Sequence, residues 1–97
     1  MQRWGFIYTL GGPSTEVRRD AIGSAECELL CRGVPSVDDA PAVAKELLDE
    51  GVQLIELCGA FAGPGLAAVL AAVGDRVPVG AVFYGGEAGT GLHRLFG

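Results

Sequence analysis

The sequence predicts an α/β fold: a compact single domain over residues 1–97, with a mainly parallel four-stranded sheet, two main helices and one short helix. Three observations carry this. Apolar runs at 4–10, 52–58 and 78–84 are too brief for helices and end at glycines or a Gly-led loop. Segments of ten or more residues with helical patterning separate the later runs, so those strands are joined by crossovers and lie parallel. The composition, 49% hydrophobic and 20% charged, is that of a folded chain with one modest core.

Residues 4–10, WGFIYTL, read as a buried first strand that ends at Gly11-Gly12-Pro13. The polar stretch 14–22 reads as a short helix capped by Ser14 or Thr15. Residues 25–34 read as a second strand with one wet face, hence an edge strand. Residues 36–50 are the clearest helix. Ser36 and Asp39 are spaced as a capping box, and Val43, Ala44, Leu47 and Leu48 form one stripe. Pro41 fits poorly with a start at Ser36, which moves the true start toward Asp38. Gly51 ends this helix. Residues 52–58 form the third strand, 63–73 the second main helix, and 78–84 the fourth strand. The tail, 85–97, is glycine-rich and then briefly amphipathic.

The helix at 63–73 is apolar all round, from Leu66 to Val73. Such a helix wants burial on every side, and a four-stranded sheet covers only one. The sequence therefore predicts a homo-oligomer through helix 63–73, or docking of that helix on a foreign partner.

Charge excludes some functions. The net charge is −5, and the seven basic residues are scattered apart from Arg18-Arg19. Nucleic acid and anionic membrane both require a clustered basic face, so neither is an expected partner. The N-terminal apolar stretch is too short for a secretory signal, and no run reaches membrane-spanning length. Three cysteines, an odd count, fit a reducing cytoplasm.

Ligands of open α/β sheets bind beyond the carboxyl ends of the strands. Here those ends are 9–12, 58–65 and 84–87, and glycines crowd all three. Glu56 and Cys58 stand two apart on the third strand, so both project from the same face. Glu56 is the candidate base, with pairing to Arg3 or Arg32 as its structural alternative. Cys58 is a candidate thiol nucleophile, or a small buried hydrophobe. His93, the single histidine, becomes a candidate proton carrier if the tail folds over the strand ends.

The amides of Gly59, Gly63 and Gly65 are candidates for holding a small anionic ligand, with Phe61, Tyr84 and Thr9 around the pocket. Gly63-Pro64-Gly65-Leu66-Ala67-Ala68 also matches G-x-G-x-x-A. Proline in the middle and the long loop from Cys58 argue against a dinucleotide there, and no cofactor is expected. Cys27 and Cys31 lie about 13 Å apart on an extended strand, too far to share a metal, so none is expected.

Gly51-Val52, Ile55 to Gly59 (IELCG), the glycine-led helix 63–73 and Val77 to Gly80 (VPVG) resemble a small family of uncharacterised bacterial proteins of about this length. That family is known only as a domain of unknown function. The resemblance runs over residues 5–84 and implies the α/β architecture, with no established reaction. The residues then support two functions. One is a small-molecule site at the strand ends, extending to a cofactor-independent enzyme of proton-transfer, lyase-like or isomerase-like type. The alternative is a non-catalytic regulatory or scaffold subunit.

Overall fold

The computed structural model describes residues 1–97. Its strands are β1 (Arg3–Thr9), β2 (Arg18–Gly23), β3 (Glu28–Val34), β4 (Ile55–Leu57) and β5 (Val79–Ala81). Its helices are α1 (Ala40–Asp49), α2 (Pro64–Val73) and α3 (Gly89–Phe96). The strands form one sheet in the order β2-β3-β1-β4-β5. Only β2 is antiparallel; β3, β1, β4 and β5 run parallel. No helix is long and apolar enough to cross a membrane.

The fold class agrees with the sequence, and three details differ. Residues 18–23 form a fifth strand where a short helix was expected. Arg18, Asp20 and Ile22 alternate with Arg19 and Ala21, and Ser24 closes a tight turn to Cys27, so the segment pairs back on β3. β3 is consequently interior, between β1 and β2, and β2 is the charged edge. The short helix lies instead at the C-terminus, as α3.

The helix at 36–50 is split. Ser36 Oγ accepts from the Asp38 amide and Asp39 Oδ2 from the Ser36 amide, each at 3.2 Å, around a 3-10 turn over Val37–Asp39. α1 then begins at Ala40, which puts Pro41 in its first turn, where a missing N–H costs nothing. Both the capping box and the proline are thereby accommodated. Gly51, at φ +84°, turns the chain off the helix.

Both helical crossovers, β3 to β4 over β1 and β4 to β5, travel the same way across the sheet. Right-handed crossovers therefore put α1 and α2 on one face, where they pack on each other. The core lies under them: Ile7, Leu30, Val34, Ile55 and Leu57 from the strands, Val43, Ala44, Leu47, Val69 and Val73 from the helices. Helix and sheet meet closely at Gly5, where a Cβ would stand 2.8 Å from a Leu47 methyl. On α2 only Val69 and Val73 are buried; Ala67, Ala68, Leu70 and Ala71 face outward. The all-round burial expected for this helix is not met within one chain.

The second sheet face has no covering layer. Trp4, Phe6 and Tyr8 of β1 stand half-buried on it, beside Leu29 and Cys31 of β3 and the exposed Ile22 of β2. Pairing register lines up Asp20, Cys31, Phe6, Glu56 and Gly80 as one row across this face.

On the helical side the core contains one charge. Arg32 is 4% exposed and projects between Leu30 and Val34. Its Nε donates to Glu46 Oε2 at 2.9 Å, Nη2 to Glu50 Oε2 at 2.5 Å and Nη1 to the Cys31 carbonyl at 3.0 Å. Arg19 also holds Glu46, at 2.7 Å. The hydrogen bond from Arg19, and then that from Arg32, outweigh partial burial and hold the Glu46 carboxyl below its ordinary range.

Candidate functional site

β1 occupies the centre of the parallel strands, with β3 on one side and β4 on the other. The chain reverses its direction of travel across the sheet here, first outward to β2 and β3, then back over β1 to β4. Such a switch point leaves a crevice at the carboxyl ends of the two diverging strands. Here those ends are Thr9 of β1 and Cys58, just past β4.

A half-open groove of about 730 Å³ occupies this crevice. Thr9, Cys58, Gly59 and Ala60 form its floor, Tyr84 stands at one side, and α3 contributes Leu92, His93 and Phe96. The tail thus folds over the strand ends of its own chain and brings its histidine to the thiol's groove. Gly59 keeps this approach close: a Cβ there would sit 3.1 Å from the Tyr84 ring, which would have to shift by a few tenths of an ångström. The amides of Gly59 and Ala60 donate to no protein acceptor, whereas the next turn is closed by Phe61 N–H to the Cys58 carbonyl at 3.0 Å. The groove therefore offers a hydroxyl, a thiol, a phenol, an imidazole and two free amides against an apolar wall.

Five of the nine candidate residues from the sequence meet here: Thr9, Cys58, Gly59, Tyr84 and His93. The other four do not. Glu56 is exposed on the open sheet face, beside a separate hollow lined by Gly80, Ala81 and Val82. β4 ends at Leu57, and the next residue, Cys58, still donates its amide to the Ile7 carbonyl at 3.0 Å. Cys58 lines the groove and Glu56 does not. Its expected partners, Arg3 and Arg32, are engaged by Glu28 and by Glu46 and Glu50.

Phe61 is a core residue, 1% exposed, and not a pocket wall. Gly63, at φ +54°, and Gly65 shape the entry to α2. The Gly65 amide already donates to Ala62, at 3.3 Å, and neither glycine lines the groove. The sequence reading missed Ala60, Leu92, Phe96 and Gly97 as lining residues. The i, i+4 spacing of Leu92 and Phe96 around His93 was the available signal. No three His, Cys, Asp or Glu side chains gather as a metal-holding group, and all three cysteines are free.

A family model described as a family of unknown function, DUF6506, matches residues 2–97. The chain belongs to that family. The DUF6506 match takes in the tail and α3 as well as the IELCG strand, so every residue of the groove falls within it. No curated protein and no solved structure matches this DUF6506 chain.

Proposed function

We propose that this DUF6506 chain binds a small molecule with an anionic end and an apolar body in the groove at the sheet's switch point. The observation that carries this is the meeting of the unpaired Gly59 and Ala60 amides with His93 and Tyr84 beside an apolar wall. Free backbone N–H groups next to an imidazole suit a carboxylate or a phosphate. Ala60, Leu92 and Phe96 suit a hydrocarbon or ring attached to it. Three unpaired cysteines accord with a reducing cytoplasm as the place of action.

The test is a thermal-shift panel of small carboxylates, phosphates and nucleotides on the purified chain. A ligand at a hundred times its Kd adds about 2.7 kcal/mol, which is about 13 °C for a chain of this size. The expected result is one chemical class that raises Tm and loses most of its effect in Tyr84→Ala and His93→Ala. A panel without effect, or a hit indifferent to both substitutions, sinks the proposal.

Catalysis is the second reading, favoured by the arrival of His93 in the groove that holds Cys58. Of the activities the sequence suggested, proton transfer needs the least of the protein: one base and an anion site. The check is NMR of the panel hit in deuterated water. Carbon-bound protons should exchange with the native chain and not with His93→Ala, while no exchange with the native chain leaves binding alone.

A further inference from the structure

The chain exposes more surface than its mass requires. A compact monomer of 10.0 kDa exposes about 5200 Å². This chain exposes 6020 Å². The excess, about 800 Å², is one partner's share of a standard stable interface. The radius of gyration agrees: 13.9 Å, against about 12.5 Å for a compact domain of this length.

Two apolar surfaces of the chain lie without cover. One is the open sheet face, with Trp4, Phe6, Leu29 and Ile22. The other is the C-terminal arm, where Phe83 is 90% exposed, Leu95 75% and Phe96 83%. Neither covers the other within the chain. Each also carries an unpaired charge of opposite sign. Glu56 lies among the apolar residues of the open face, and Arg94 lies beside Leu95 on the arm; neither takes part in any ion pair.

We propose that two copies of this chain associate by laying each C-terminal arm on the other's open sheet face. Phe83 and Leu95 of one copy cover Trp4, Phe6 and Leu29 of its partner, and Arg94 meets Glu56. The contact is isologous and closes after two copies. The outward side of α2 offers mainly alanines and Leu70, a much smaller apolar area per residue than the aromatic sheet face. Because α3 also lines the groove through Leu92, His93 and Phe96, dimerisation holds one wall of the ligand site in place.

The experiment is sedimentation velocity on the full chain at about 100 µM, a concentration at which even a micromolar dimer is populated. The expected species is a dimer of twice 10.0 kDa. The double variant Phe83→Asp, Leu95→Glu should be a folded monomer with native circular dichroism, since both side chains lie on the surface. Glu56→Arg should weaken the dimer about tenfold or more, and adding Arg94→Glu should restore it.

A wild-type monomer overturns the proposal. So does a dimer that tolerates the double variant, and one broken by Leu70→Glu alone assigns the contact to α2 instead. Phe83, Leu95, Glu56 and Arg94 do not line the groove, so the dimer and the ligand are refuted by separate results.

Discussion

Replacing Arg32 by Met removes the one buried charge and keeps most of the apolar stem. Three hydrogen bonds are lost: to Glu46 at 2.9 Å, to Glu50 at 2.5 Å and to the Cys31 carbonyl at 3.0 Å. Stranding a fully buried partner costs about 3–5 kcal/mol. That figure is too large here, because the Glu46 and Glu50 side chains are 34% and 42% exposed and water reaches both. Glu46 also keeps Arg19. Each lost bond is then worth about 1 kcal/mol, and the apolar Met side chain offsets part of the sum, so the net cost is about 2 kcal/mol. With an m-value of about 1 kcal/mol/M, the urea midpoint falls by about 2 M. The same substitution placed in a Glu46→Gln, Glu50→Gln background should cost less than half as much. A midpoint unchanged in the native background would refute the reasoning and show that an apolar side chain serves the site as well as the ion network.

Three further outcomes follow from the same structure. Glu46 has a depressed carboxyl, so its contribution is complete above the ordinary Glu range and is lost as pH falls through the lower folded value. Urea midpoints measured from pH 7 down to pH 3 should fall for the native chain and fall less for Glu46→Gln. Gly5→Ala places a methyl 2.8 Å from a Leu47 methyl in a fully buried site, and thermal unfolding should show a loss of about 1–3 kcal/mol. Ser36→Ala removes half of the capping box and should cost about 1 kcal/mol in the same assay, with Ser36→Asp recovering most of it.

Much of the scaffold was legible in the chain because its signals are local. The capping box at Ser36 and Asp39, the stripe of Val43, Ala44 and Leu47, and the glycine stop at 51 are decided by residues within a turn of one another. The strand at 18–23 was not legible. Its alternation of charged and apolar residues is short, and only pairing with β3 through the turn at Ser24–Cys27 makes it a strand. The site shows the same division. The rule that ligands gather at strand ends singled out Thr9, Cys58, Gly59 and Tyr84, and the structure brings them into one groove with His93 of the tail. Glu56 lies outside that groove, because its place on the open face is set by the pairing of β4 with β1 and β5, residues distant in the chain.

The sequence by itself determined the element types outside residues 18–23, the parallel crossovers and the crowding of glycines at one end of the sheet, since each follows from short-range sterics and periodicity. Tertiary structure alone decided three things: which face stays open, where α3 comes to rest, and that Arg32 is buried against two carboxylates. These depend on the direction in which crossovers travel across the sheet and on contacts between residues far apart in the chain, and no local pattern encodes either.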